Sequence, residues 1–595
     1  MKKWREDKGK MKQTREKKIV VIGIVAVIVS AMLLASMPTA SAKLWGDANG
    51  DGEITEADMT YVEQIIAGEK TETELADANQ DGAIDLLDVA YIEGIILGDN
   101  PFPGGTLMAA TMWDPSTLTG ATTCGGVSPY GTNIYEPLVF VDNDMNIHPG
   151  LAKSWKRLDD YTWRFYLREG VKFHDGTPFD ADVAKFSFDR LLDDPLISAH
   201  LGGDLYIDKD SIKVVDDYII DITTGKPLGN VPDILANART VMISPNIDEL
   251  GEPCGTGPFK FEEMIPMQTL EVVRNEHYWG DGPKLEKLII KTIFDPSTKV
   301  MALEAGEVDL IYGVLRAEVS SLEANPDIQV FKKMMPSTTA LYVNAKRALL
   351  SDVHVRKAIN YAVNKEDIVE YIFEGIGQSA KSTVSPVLSW SADDELDGYP
   401  YNPARAEELL ADAGWTDTDG DGYLDKDGQT LEIGLVFLPT MVPEHQSCAE
   451  AIQDQLKDVG IKVELVPIEW GSYWDTFMGE QFDMFLDLWF AIDGDGSSLL
   501  YEPYHSDGGV HVGYNLSKQA LVDELIYVGR ATSDPDIAAE NYREVQKIVV
   551  DEEAAAVPLS YDYEVVAAKN SVKEFEIHPL TLWGITMKDV YNTEQ

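Results

Sequence analysis

The chain has 595 residues, with 101 Asp and Glu against 49 Lys and Arg and a formal net charge of −52 at pH 7. A single core rarely grows beyond about 300 residues, so several domains or lobes are expected. The charge excludes nucleic acid and anionic membrane surfaces as partners, since both would repel it.

Residues 1–42 are basic where the rest is acidic. Nine basic and three acidic residues surround an apolar run from Ile19 to Leu34, and Ala40-Ser41-Ala42 supplies a small-residue cleavage pattern. This predicts a secretory signal and export of everything after Ala42, to the cell surface or a periplasm-like space. The run also approaches the roughly 17–25 residues that span a bilayer, so an uncleaved N-terminal anchor stays open. No cysteine lies near the cleavage pattern, which excludes a lipid anchor there. The rest has no comparable apolar run, so this chain is not a membrane pore.

Residues 43–99 contain a repeat: Asp47–Asp58 (DANGDGEITEAD) is echoed by Asp77–Asp88 (DANQDGAIDLLD), each followed by a helical pattern. The spacing is that of calcium loops. Asp47, Asn49 and Asp51 hold positions one, three and five, Glu53 offers its carbonyl at seven, and Asp58 closes at twelve. Asp77, Asn79, Asp81, Ala83 and Asp88 repeat these roles. Hard oxygen ligands in this order suit structural Ca²⁺, and without it the carboxylates would repel one another. With Asp at position twelve and no helix before the first loop, the segment resembles dockerin modules. That resemblance implies a cohesin-type surface protein as partner, although Glu56-Ala57 against Leu86-Leu87 leaves partner choice open.

Residues 100–105 read as a Pro- and Gly-rich linker, and residues 106–595 as the body. Trp163, Phe165 and Leu167 alternate with Arg164, Tyr166 and Arg168, predicting a strand. Asp175-Gly176 predicts a turn, and Asp180 a cap for a helix from Ala181. Val355, Ala358, Ile359 and Ala362 share one helix face, and Ile368, Tyr371 and Ile372 predict another helix. Asp417–Gly428 (DTDGDGYLDKDG) has acids in calcium-loop positions but lacks the closing carboxylate, so a hairpin turn at Asp427-Gly428 is the preferred reading. Cys448 falls on an amphipathic helical pattern and reads as a buried, inert thiol. Ile461–Val466 and Asp483–Trp489 are strand-like, and alternation of helices with strands predicts α/β layers. There is no HExxH, GxSxG or Walker A motif, so neither an enzyme nor an ATPase is indicated.

The wording of several segments is more specific. Trp155–Arg190, Asn133–Val139 (NIYEPLV), Gly255–Phe259 (GTGPF), RNEHYWGDGPKLEKL from Arg274, and LEAGEVDLI from Leu303 fall in one order. They are followed by LYVNAKRALLSDVHVRKAINYAVNKEDI from Leu341 and YNPARAEELLADAGW from Tyr401. Together they resemble the extracellular solute-binding proteins of the oligopeptide/dipeptide/nickel ABC importers (solute-binding protein family 5). The resemblance implies an α/β, two-lobe periplasmic-binding-protein fold of the large class with a hinge between lobes, beside the small all-α dockerin/EF-hand-like module. Lobe I would take about 106–335 and 556–593, and lobe II about 336–555. Cys124 and Cys254 would both fall in lobe I, as two buried thiols or a disulfide.

A small solute, a di- or oligopeptide above all, is the implied ligand, with a permease and an ATPase as partners. The receptor would sit at the membrane through the permease or an uncleaved anchor. In peptide-binding members an Asp shortly after a cleft Trp holds the peptide ammonium. Here Trp489 is followed by Ile492 at that spacing, with Asp493 and Asp495 just beyond. These three polar or aromatic candidates, Trp489, Asp493 and Asp495, are joined by Tyr504, Tyr130 and Asn133. His505 and His511 would suit a nickel-type ligand. A nickel chelate or an oligosaccharide remains an alternative cargo, and a calcium-dependent surface assembly protein an alternative role.

Overall fold

A computed structural model describes residues 48–50, 55–71, 73–76, 78, 84, 88–89, 92, 105–112, 131–193, 205–237, 240–247, 251–440, 442–508, 516–580 and 587–593. The signal segment, Cys124, Tyr130, His511 and the loop positions Asp47, Asp51, Glu53, Asp77, Asn79, Asp81 and Ala83 lie outside them. Among the described residues no helix is long and apolar enough to cross a membrane. The chain divides into two compact units, Met1–Pro101 and Phe102–Gln595.

In the first unit, helix α1 (Glu56–Ile66) starts on a capping box. The Thr55 side chain accepts from a backbone N–H of the first turn, and the Asp58 carboxylate accepts from the Thr55 N–H at 2.9 Å. Its inner face, Val62 and Ile65, packs with Ala48, Ala76, Ala78 and Ile92 into a small core.

The second unit is built on one 11-stranded sheet. Its strands are β1 (Thr106–Thr111), β2 (Phe259–Ile265), β3 (Thr269–Arg274), β4 (Lys287–Thr292) and β5 (Leu310–Tyr312). They continue as β6 (Ile328–Val343), β7 (Glu432–Phe437), β8 (Lys462–Pro467), β9 (Met484–Phe490) and β10 (Ala556–Lys569). The order is β2-β3-β4-β1-β5-β10-β6-β9-β7-β8, with Gln378–Ser379 paired off the path against β10. Two long antiparallel strands, β6 and β10, thus sit in the middle, between parallel pairings of β1 with β4 and β5 and of β7 with β8 and β9. Separate apolar cores cover the two halves, one around Leu107, Phe259 and Leu288, the other around Val355, Ile433 and Ile452.

The strand expected at residues 163–168 is Thr162–Leu167, with alternate residues buried, in a four-stranded antiparallel sheet. Asp180 accepts from the Val183 N–H at 3.0 Å and starts helix Ala181–Asp193. Gly176 takes φ +86° in the preceding turn, where a side chain would be strained. The hairpin at Asp427-Gly428 also forms: both residues have positive φ and Lys426 pairs with Gln429, as a two-residue loop requires. One expectation needs correcting. Ile368–Ile372 is a single π-helical turn, so the 3.6-residue spacing fails there and Tyr371 is 73% exposed.

Three of the distinctive segments meet at one half-buried carboxylate. Glu136 accepts from Thr256 Oγ1 (2.7 Å), Tyr278 Oη (2.5 Å) and Trp279 Nε1 (2.7 Å). A Cβ on Gly255 or Gly257 would lie 2.1 or 2.7 Å from the Ile134 carbonyl oxygen, so only glycine lets the two backbones meet. His174 completes the junction, with Nε2 3.0 Å from the Gly257 carbonyl oxygen, and burial holds its imidazole down at about 4. On the other half, buried Arg356 donates to the Glu553 carbonyl (2.8 Å) and carboxylate (3.0 Å) and to the Leu350 and Ser351 carbonyls. Removing one partner of such a pair strands a buried charge. Arg356→Met is expected to lower the unfolding free energy by about 3–5 kcal/mol in urea titration.

Candidate functional site

The middle of the sheet contains an interruption. β6 and β10 pair Met334 with Tyr563 and Thr338 with Tyr561, so three residues of β6, Met335–Ser337, stand opposite the single Asp562. Pro336 has no N–H to give to a ladder, which confines it to such a bulge. Its carbonyl accepts instead from the Ala491 N–H at 2.9 Å. Beside the bulge lies a cavity of about 100 Å³. Arg316, Ser337, Thr339, Asp562 and Glu564 form its polar side, and Met335, Phe373, Val442 and Leu488 its apolar side.

The charges there are unevenly matched. Arg316 begins helix Arg316–Glu323 and lies over the Phe373 ring at 4.5 Å, with Nε donating to the Ile376 carbonyl. Its guanidinium is shared between Glu444 Oε1 and Asp562 Oδ1, each at 3.5 Å. Asp562 is 6% exposed. Its Oδ1 also accepts from Thr339 Oγ1 at 2.9 Å, while Oδ2 makes no hydrogen bond. Burial pushes the Asp562 carboxyl up to about 6 against the opposing pull of Arg316, and burial raises Glu564 as well. The arrangement offers a solute an apolar wall, a guanidinium and an unused carboxylate oxygen. It has no acid–base–nucleophile set.

The residues singled out in the sequence lie elsewhere. Trp489 is half-buried on β9, stacked on Phe477 at 6.0 Å. Asp493 is buried, with Oδ1 accepting from Ser498 Oγ at 2.7 Å and Oδ2 facing Ser497 Oγ and the Ser498 N–H. Asp495 accepts from Asn230 Nδ2 at 2.9 Å and from the Ser497 N–H at 3.0 Å. Tyr504 is buried in the apolar core that also contains Tyr501 and Leu500. Asn133 is 1% exposed and its Oδ1 accepts from the Met587 N–H at 2.9 Å, which ties down the C-terminal segment. His505 Nδ1 accepts from the Asp507 N–H at 2.9 Å in an ordinary turn. None of these six lines the cavity. Cys254 and Cys448 are buried free thiols, and burial pushes Cys448 up to about 12.

In the first unit, Asp58 and Asp88 are fully buried at the twelfth loop positions. Asp58 Oδ1 accepts from the Asn49 N–H at 3.0 Å, which folds the loop back onto its closing carboxylate. A buried carboxylate at the end of an acid-rich loop fits a hard cation such as Ca²⁺. In the second unit, carboxylate oxygens of Asp417, Asp419 and Asp425 lie within 4.8 Å of one another on an exposed loop. Their partners are largely the loop's own N–H groups, as the hairpin requires.

With this geometry in hand, known proteins place the chain. The profile of the bacterial extracellular solute-binding proteins, family 5 Middle, matches residues 146–510, and that of the dockerin type I domain matches residues 45–97. The chain is 31% identical over 463 residues to the nickel-binding periplasmic protein of Escherichia coli (strain K12), covering 75% of this chain and 87% of that one. It is 26% identical over 516 residues to the oligopeptide-binding protein AppA of Bacillus subtilis (strain 168), covering 83% and 92%. Among solved structures, NikA from Brucella suis in complex with Fe(III)-EDTA superposes with a TM-score of 0.73 at 28% identity, covering 82% of this chain and 99% of that one. The chain belongs to family 5 of the bacterial extracellular solute-binding proteins, has the periplasmic-binding-protein fold, and carries an N-terminal dockerin type I domain. It is the non-enzymatic, solute-binding component of an ABC importer.

The strand that bears Trp489 tests the geometry without any solute. Burial pushes the Asp487 carboxyl from its ordinary 3.8 up to about 7, against the Tyr473 hydroxyl that donates to it at 2.6 Å. A carboxyl raised in the folded state destabilises the fold fully above pH 7, and the penalty shrinks as pH falls toward 3.8. Asp487→Asn should therefore gain on wild type at pH 8 and lose much of that gain at pH 5, in urea unfolding at both. An equal difference at the two pH values would contradict this assignment.

Proposed function

We propose that this receptor captures a di- or oligopeptide beside the β6 bulge and delivers it by lobe closure to its permease. The observation that carries the reading is the composition of the cavity: a guanidinium, two carboxylates and an apolar wall around one partly open space. A peptide brings an ammonium, a carboxylate and apolar side chains, which are the complements of those groups. At about 100 Å³ the cavity is well below the roughly 300–1,000 Å³ of sites for drug-sized ligands. It would hold one group of the solute rather than all of it. Closure is favoured only if the solute binds the closed state better than the open one.

A metal chelate is the second reading, favoured by the similarity to the nickel-binding periplasmic protein of Escherichia coli. Against it, the described residues that line the cavity include no histidine or cysteine.

We further infer that residues 1–42 export the chain, and that the dockerin module binds structural Ca²⁺ and docks onto a cohesin-type surface protein. That module would hold the receptor near its substrates on the cell surface. Calcium fits there because Asp58 and Asp88 are buried carboxylates.

Di- to pentapeptides, nickel chelates and oligosaccharides should be compared by thermal shift on the purified protein in calcium. A peptide at 100 times its Kd adds about 2.7 kcal/mol to the solute-binding unit and raises its melting temperature. Stabilisation by a chelate or sugar alone would replace the cargo. EDTA is expected to lower the melting transition of the dockerin module and leave that of the solute-binding unit in place, as resolved by scanning calorimetry.

A further inference from the structure

The two halves of the large sheet also meet away from it. The four-stranded sheet that contains Thr162–Leu167, and helix Val231–Leu235 after it, lie in the chain between β1 and β2. Helices Gln519–Ala531 and Pro535–Gln546 lie between β9 and β10, in the other half. A seam joins these two insertions. The Gly229 N–H donates to the Arg530 carbonyl at 2.8 Å, and the Gly494 N–H to the Asp233 carbonyl at 2.9 Å. Arg157 donates to Ser533 Oγ at 2.8 Å and to the Ala531 carbonyl at 3.2 Å, and Asn230 Nδ2 to Asp495 Oδ2 at 2.9 Å. None of these residues lines the cavity at the β6 bulge.

At both backbone contacts one partner is a glycine. A Cβ on Gly229 would lie 1.7 Å from the Thr532 carbonyl oxygen, in the turn between the two helices. A Cβ on Gly494 would lie 2.4 Å from Ile147 Cδ1 and 3.2 Å from the Asp233 carbonyl oxygen. Each atom met in these clashes belongs to the opposite half. Neither glycine has a positive φ, so a side chain at either position suits the local backbone. The bare Cα is needed where the halves meet, not for the course of the chain.

We propose that this seam is the closure latch of the receptor, shut where the Ala531–Ser533 turn seats on Gly229. The inference rests on lobe closure in the reading above and is independent of the cargo. A rotation of one half against the other about β6 and β10 must separate Gly229 from Thr532 and Gly494 from Asp233. The apolar cluster that contains Leu228, Val231, Leu499 and Tyr501 runs through the same seam, so a shut seam keeps it from water. Contacts made only in the closed state strengthen the hold on any solute that needs closure, without touching it. Gly229 and Gly494 are thus positioning residues that act through closure.

Deuterium exchange of the full chain in calcium, without added solute and read by mass spectrometry, tests this. In wild type, residues 228–235 and 491–497 should exchange at least about tenfold faster than the paired residues of β6 and β10, because the seam opens without unfolding. Gly229→Ala should speed exchange in both segments by at least about tenfold again and leave the β6–β10 ladder within about twofold. The same variant should have a larger radius of gyration in X-ray scattering. Gly494→Ala should act in the same direction by less, since the Ile147 side chain can turn aside. Gly471→Ala, where a Cβ meets nothing within 4 Å, should change neither reading. Equal exchange of seam and ladder in wild type would overturn the latch, as would an unchanged seam in Gly229→Ala. Faster exchange throughout the second unit of Gly229→Ala would make the glycine a requirement of folding and also overturn it. The wild-type comparison needs no variant to fold. No solute enters the experiment, so a failed latch leaves the receptor reading to the thermal-shift comparison.

Discussion

The ladder between β6 and β10 is the constraint on which the second unit depends. Among the described residues, ladder hydrogen bonding passes from one half of the sheet to the other across this pair, with β5 before it and β9 after it in the strand order. The ladder is also where the sheet is broken, opposite Asp562, by a bulge that Pro336 enforces. A break in that position places side chains of both halves around one space. Arg316 and Asp562 come from one side, and Val442 and Leu488 from the other. A change in the relation of the two halves must therefore alter that space.

Buried and half-buried polar groups in this fold follow two patterns. Those of the distinctive segments are fully used: Glu136 joins three segments, His174 braces the GTGPF turn, and Arg356 fixes helix Val353–Ala362 to the start of β10. These contacts maintain packing. The groups around the β6 bulge are only partly used. Arg316 makes two long ion pairs instead of one close one, and Asp562 keeps an acceptor unfilled.

Much of the fold was legible in the sequence because its signals are local. The alternation at Trp163–Arg168, the cap at Asp180, the Asp427-Gly428 turn and the loop spacing from Asp47 each lie within a dozen residues. Ile368–Ile372 misled because a π turn breaks the helical period. The cavity was not legible, because its lining comes from Arg316, Met335–Thr339, Phe373, Val442, Leu488 and Asp562–Glu564, and no window contains them together. Two traces were available: Pro336 inside an otherwise strand-like run, and Asp562 with Glu564 two residues apart on the same face of β10. Within Asp487–His505 the Asp493 and Asp495 carboxylates turn toward Ser497, Ser498 and Asn230. Only packing decides that.

A crystal structure of the protein with the peptide that stabilises it best would decide where the solute sits. A small solute should lie between the two halves of the sheet, with the space beside the β6 bulge filled. Solute density elsewhere on the chain, with that space empty, would contradict this placement.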